Sequence, residues 1–406
     1  MSPEMIERLT ELAKQVQGYI YPNELDIHWS ILIVVYPYLT GLVAGAFILA
    51  SLVKVFNVKE VQPTYRLSLL TALAFLLIAP LPLLLHLGHP ERGYEVLLTP
   101  NPTSAMAMFG FVYAWYLMAV LLLEVWFAYR EDLILYARQE RGLMKWIHRA
   151  LALYSNDVSP EAVAFDHKAV KVITIIGIPS AFLLHGYVGF IFGSIKANPW
   201  WSSVLMPIVF LFSAIVSGIA LVILLYMVIT PFRGQPIDMK CLDKMASFLF
   251  YAVIVDFSLE ALDFIHRLYE SEESIKILSA LVMNKLIISL LVMQVLLGMI
   301  APLGIMVSIK LLNLNDELRR LLYFVSVLLI QLGIFSTRWN VVIGGHMFSK
   351  SLIGLTTYKM EIMGLEGLLT ALVLLMLQFF VLAVLIKILP PWDTKAPGPV
   401  PENVAA

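Results

Sequence analysis

The chain has 406 residues, 60% of them hydrophobic and 14% charged, a balance that excludes an ordinary soluble domain and predicts a polytopic membrane protein. A formal net charge of −1 argues against nucleic acid as a partner. The single cysteine, Cys241, excludes a cysteine-held iron–sulfur cluster, a four-cysteine zinc site and an internal disulfide, so any metal redox centre is expected in a partner unless histidines hold a haem.

Residues 1–27 are polar, and Met5, Leu9, Leu12, Val16 and Ile20 recur at helical spacing, which predicts an amphipathic helix lying in the membrane interface. No cleavable signal peptide is predicted, because the first apolar run is too long for one. About nine segments are long enough to span about 30 Å of hydrocarbon. They fall near 28–56, 65–88, 104–130, 169–195, 203–230, 242–268, 277–311, 319–347 and 365–389. Pro302 predicts a tilt or kink in the overlong seventh span. The connection 131–168 carries an amphipathic stretch (Leu133, Ala137, Met144, Ile147, Leu151) expected to lie along the cytoplasmic surface. The Pro-rich segment 390–406 reads as disordered.

Lysines and arginines divide eighteen to nine between the two sets of loops, with Lys285 inside a span. The positive-inside rule then puts the N-terminus outside and the C-terminus in the cytoplasm of a cell-membrane protein. With that orientation the unusual polar residues collect outside. His28 opens span 1, and the hairpin from His86 to Ser104 carries His89, Glu91 and Arg92. His185 lies near the outer end of span 4, Asp263 and Arg267 near that of span 6, and Arg338, Asn340 and His346 near that of span 8.

Ionisable groups inside a span cost several kcal/mol unless paired or hydrated, so each is a functional candidate. Asp256, Glu260, Asp263 and Arg267 share one helical face, with Asp256 about 15–20 Å below the outer end. Such a ladder can pass protons. Lys285 enters from the same side and is expected to pair with Asp256 or Glu260, a role that fits a structural ion pair equally. Glu124 reads either as an inner proton station or as a side chain that snorkels to the surface. His86 and His185 sit where an imidazole can hydrogen-bond a quinone carbonyl and exchange a proton, or simply cap and tie helices. Haem ligation needs two facing deep histidines, and only His185 is deep. Tyr36, within Tyr36-Pro37-Tyr38, can reach a headgroup or pack at a proline kink. Gly41, Gly45, Gly110, Gly186 and Gly189 read as close-packing positions.

The passage His86-Leu87-Gly88-His89-Pro90-Glu91-Arg92 followed by Asn101-Pro102-Thr103-Ser104 resembles the hairpin of the NrfD/PsrC family, the quinone-interacting membrane subunits of respiratory complexes. Gly41-Leu-Val-Ala-Gly45 is similar to the family's glycine-rich first helix, and Pro199-Trp200-Trp201 to Gly218 to its passage between two bundles. The length and Arg338-Trp339 look closest to the larger branch, with DsrP and the hydrogenase cytochrome-b-like membrane subunit. Some of its members have ten spans, against nine here.

The resemblance implies a menaquinone or ubiquinone site near the outer face, and the residues of this chain expected to line or feed it are Tyr36, His28, His86, His185 and Arg338, with Tyr36 standing where some family members carry His, Asn or Asp. It implies a docked ferredoxin-like iron–sulfur subunit there, further catalytic or cytochrome c subunits, and no haem or iron–sulfur cluster in this chain. Glu124, Asp256, Glu260 and Asp263 fall where family members carry proton-route carboxylates, with Lys285 tuning the acids. The expected architecture is all-α. Two four-helix bundles (28–195 and 203–347) are followed by an outer loop and a peripheral ninth span (348–389). The rival expectations are a secondary transporter, kept open by Pro179 and Pro302, and a purely structural membrane anchor.

Overall fold

Helix α2 (Ile31–Lys54) is the element around which the others pack, and its sequence says why. It is apolar on every face, and 20 of its 24 residues are buried, as expected of an interior helix rather than one facing lipid. Ser30 caps it by accepting the Leu32 N–H at 3.3 Å. Pro37 interrupts the ladder, and the Thr40 hydroxyl turns back onto the carbonyls of Tyr36 (3.2 Å) and Pro37 (3.3 Å).

The computed structural model describes residues 3–16, 18–21, 24–99, 101–270 and 274–392. The tail expected to be disordered therefore lies outside the described residues beyond 392. The other helices are α1 (Pro3–Gln15), α3 (Lys59–His86), α4 (Ala105–Gln139), α5 (Gly142–Leu151), α6 (Pro160–Gly193) and α7 (Met206–Phe232). They are followed by α8 (Met239–Glu270), α9 (Ile275–Leu311), α10 (Asp316–Gly344) and α11 (Leu368–Ile388). Among the described residues eight of these (α2, α3, α4, α6, α7, α9, α10 and α11) are long and apolar enough to cross a membrane. The ninth long helix, α8, runs 32 residues, about 48 Å, and carries the acidic ladder. The protein is an all-α, multi-pass membrane protein.

Close approach of backbones sets the depth register between helices. A Cβ on Gly45 would lie 2.1 Å from the Ala214 carbonyl oxygen, and one on Gly218 2.4 Å from the Gly45 backbone, so α2 and α7 touch where only glycine fits. Gly298 and Gly333 do the same for α9 and α10, each Cβ position lying 2.3–2.4 Å from the other's Cα. The irregularity expected at Pro302 lies just before it: Val282–Ile300 is wound as a wider π-helix that returns to α geometry at Ala301. Helix α11 is the least buried span and rests on α3 and α2.

Helices α4 and α6 run on past their apolar stretches, so the surface-lying part of 131–168 narrows to α5. A buried pair holds the two extensions together, with the Arg130 Nε 2.8 and 2.9 Å from the Asp166 carboxylate oxygens. Loops alternate between two faces. One carries α1, the 87–104 hairpin and the 345–367 loop; α1 is tied to that loop by Arg8–Glu361 (3.1 Å) and Lys359–Glu11 (3.0 Å). The opposite face carries α5 and the start of α8.

Candidate functional site

The face of α8 that holds the acids turns toward α9 and α10 and opens on a cavity of about 240 Å³. Its walls are mostly apolar, from Met206, Val209, Phe257, Phe264, Leu290 and Leu291, with Glu260, Gln294, Thr337 and Asn340 as the polar side. A run of hydrogen bonds fixes that side. Ser289 Oγ donates to Asn340 Oδ1 (2.6 Å), Asn340 Nδ2 to Gln294 Oε1 (2.6 Å), and Gln294 Nε2 to Glu260 Oε2 (2.7 Å). Thr337 Oγ1 donates to Glu260 Oε1 at 3.4 Å. Glu260 is thus held by Gln294, with the Thr337 hydroxyl, which also turns to the Gly333 carbonyl at 3.2 Å, as a weaker contact, and each amide keeps a second N–H. Asp263 and Arg267 form an ion pair at the α1-face end of the cavity, where Asp263 also accepts from Ser203.

The tandem indoles Trp200 and Trp201 close this end. They donate to the carbonyls of Asn340 (2.8 Å) and Val341 (2.6 Å), in the π-helical last turn of α10, Asn340–Gly344. A Cβ on Gly345 would lie 2.0 Å from the Trp201 indole nitrogen, so the second indole fits only against glycine.

Behind the cavity lies a second polar cluster. Arg338 is fully buried; one Nη donates to Ser213 Oγ (2.6 Å) and to His185 Nε2 (3.1 Å), and the guanidinium stacks 4.2 Å from the centre of the Phe210 ring. Arginine can only donate, so His185 Nε2 accepts and its proton sits on Nδ1, which faces Thr40 Oγ1 at 3.2 Å. His185 is therefore a neutral imidazole with both nitrogens used by protein groups. The carboxylates within electrostatic reach of Arg338 are Asp256 and Glu260. Asp256 is 1% exposed, and among the described residues its Oδ1 has no hydrogen-bond partner; the same holds for Nε and the other Nη of Arg338.

Lys285, expected to meet Asp256 or Glu260, pairs with neither; its amine donates to Thr357 Oγ1 (2.6 Å) in the α1-face loop. The reason is depth. Gln294 of α9 stands level with Glu260, and Lys285 is nine residues, more than two turns, nearer the α1 face. Arg338 is instead the cation whose charge reaches Asp256 and Glu260, with no ion pair between them among the described residues.

The remaining candidates lie apart from the cavity. Tyr36 is buried edge-on against Phe109 (5.6 Å), with no hydrogen-bond partner for its hydroxyl among the described residues. His86 Nδ1 lies 2.6 Å from Glu366, tying the hairpin to the base of α11. His28 is exposed and lines two shallow concavities of the α1 face. Beside it His346 packs 4.2 Å from Trp29 and 5.0 Å from Trp201, and burial, helped by His28, pushes its imidazole down to about 4. Glu124 is fully buried rather than snorkelled: Oε1 accepts from Thr174 (2.8 Å) and Tyr65 (3.3 Å) in the opposite half of the protein.

Sequence reasoning missed Gln294, Thr337, Ser213 and Thr40. Gln294 carried a usable signal, an amide in the middle of an apolar span. The hydroxyls did not, because serine and threonine in such spans commonly bond their own helix.

The chain matches the family described as polysulphide reductase, NrfD, over residues 22–350. It is 39% identical over 203 residues to a selenate reductase subunit of Mesobacillus selenatarsenatis, covering 49% of this chain and 47% of that protein. It is 28% identical over 230 residues to a putative dimethyl sulfoxide reductase membrane subunit of Halobacterium salinarum (54% and 48%). It is 23% identical over 221 residues to the Hdr-like menaquinol oxidoreductase integral membrane subunit of Archaeoglobus fulgidus (54% and 47%). The match thus spans about half the length of each of these relatives.

Proposed function

Because this chain belongs to the polysulphide reductase NrfD family, we propose that it is the quinone-reactive integral membrane subunit of a multi-subunit respiratory oxidoreductase. The observation that carries the reading is Glu260, a half-buried carboxylate facing the mostly apolar cavity between α8, α9 and α10. A quinone headgroup asks for flat apolar walls, hydrogen-bond donors for its carbonyl oxygens and a group that exchanges protons with it. The cavity offers Phe257 and Phe264, the spare N–H groups of Gln294 and Asn340, and Glu260. The guest supplies the redox chemistry; the protein's residues position it and handle its protons.

Asp263, Glu260 and Asp256 are steps of descending depth along α8, and we assign them the proton traffic, with the Arg338 guanidinium as the cation within electrostatic reach of the two deeper acids. The α1 face, on the outer side by the distribution of lysine and arginine, is where electrons are exchanged with an iron–sulfur partner. The names of the relatives support membership in a reductase or menaquinol oxidoreductase complex. Helices α2, α3, α4 and α6 form one four-helix bundle in this reading, and α7 to α10 the other.

The test is photo-crosslinking of the complex, purified in mild detergent, with an azido-quinone. Label mapping to the α8, α9 and α10 peptides that wall the cavity, and displaced by native quinol, is the expected result. Label confined to α2–α4, or uptake of a solute by the chain alone in vesicles, refutes the assignment.

A further inference from the structure

On the face opposite α1 a concavity of about 590 Å³ lies where three helix ends meet: the start of α3, the end of α7 and the segment just past α11. The charged side chains that line it, Lys59, Arg66 and Arg233, are all cations. Arg66 is already matched, by Asp132 at 2.5 Å and the Ala128 carbonyl at 3.1 Å. Arg233 and Lys59 are not: among the described residues neither has an ion-pair partner. Arg233 instead stacks on Trp392, its guanidinium carbon 3.4 Å from the ring centre, which occupies one flat face and leaves its N–H fork free. Asp238, nearby, has its carboxylate turned to the start of α8, where it accepts the Lys240 N–H at 2.9 Å.

Two unmatched cations beside a tryptophan, at the level of the helix ends, are what a multivalent oxyanion at the membrane–water boundary requires. Gln62, Gln235 and Thr230 add neutral donors around the rim. We propose that this pocket binds a phosphate group, supplied either by an anionic phospholipid headgroup or by phosphate from solution. Arg233 takes the oxygens with its fork, Lys59 closes from the α3 side, and Trp392 holds Arg233 in place. Removing both unmatched cations is expected to weaken binding about thirtyfold, from the usual contribution of a cation near a charged membrane surface.

The experiment uses the full chain in nanodiscs of equimolar phosphatidylcholine and phosphatidylglycerol, read by native mass spectrometry. The wild type is expected to retain phosphatidylglycerol over phosphatidylcholine, and Lys59→Gln/Arg233→Gln to lose that preference, while Lys310→Gln, whose amine stacks on Phe250 of the same face, keeps it. In a second arm, inorganic phosphate is titrated into pure phosphatidylcholine discs and followed by ³¹P line broadening. Broadening that the double variant abolishes, without lipid preference, supports the site with solution phosphate as its source. If the double variant does not fold, Arg233→Lys, which keeps the charge and loses the fork, is expected to show a partial loss. No preference and no broadening in the wild type, or either signal unchanged in the variants, overturns the proposal.

Discussion

Replacing Glu260 with glutamine separates the chemistry of the cavity from its architecture. Glu260 accepts from Gln294 Nε2 at 2.7 Å and from Thr337 Oγ1 at 3.4 Å. In Glu260→Gln the amide oxygen can keep the shorter bond, and the amide nitrogen then faces the Thr337 hydroxyl, which rotates to accept. The hydrogen bonding is conserved, so the cost in stability is about 1 kcal/mol or less. What disappears is a group that can gain and lose a proton at the cavity wall. General acid–base groups contribute about 10²–10⁴-fold, so quinol-linked turnover of the complex should fall by about 10²-fold or more. The assay is quinol oxidation or quinone reduction by the purified complex, alongside its melting temperature and a check that every partner protein is still bound. Turnover within about twofold of wild type, in a variant that is stable and complete, would refute the role given to Glu260.

Lys285→Met should leave turnover close to wild type, because the amine serves Thr357 and not the acids; a loss as large as that of Glu260→Gln would restore the pairing read from sequence. Gly218→Leu should abolish folded protein in detergent size-exclusion profiles, since even a Cβ would lie 2.4 Å from the α2 backbone; Gly304→Ala, with nothing within 4 Å, should be neutral or stabilising by about 0.5–1 kcal/mol. His346 has its folded-state pKa lowered to about 4, below the roughly 6.5 of a free imidazole, so its contribution to stability is full above pH ~6.5 and is lost as pH falls toward 4. Melting temperatures between pH 7 and 4 should fall less steeply in His346→Gln than in wild type, and parallel curves would show that another group carries the dependence.

The acid ladder was legible because Asp256, Glu260, Asp263 and Arg267 lie on one helix, where a period of about 3.6 residues fixes which side chains share a face. Its cation was not. Lys285 sits in the sequence as a lone charge inside a span and Arg338 as one toward a span end, and that placement favoured the lysine. Arg338 read as an end-of-span residue, yet it lies buried against Phe210 and His185. His185 read either as an imidazole for a guest or as one that ties helices, and Thr40 and Arg338 at its two nitrogens give the second.

By itself the sequence determined the solvent, the class and the order of the helices, for these follow from apolar run length, and so from terms that each segment contributes alone. It also marked Gly41 and Gly45 as positions of close helix packing, without saying which helix they meet. Only the tertiary structure decided which groups meet across helices: Arg338 with His185 and Ser213, Gln294 with Glu260, and the Trp200–Trp201 pair with the last turn of α10. Those meetings depend on how far one helix slides along its neighbour. Contacts such as Gly45–Gly218 and Gly298–Gly333 set that offset, and a shift of two turns exchanges one partner for another.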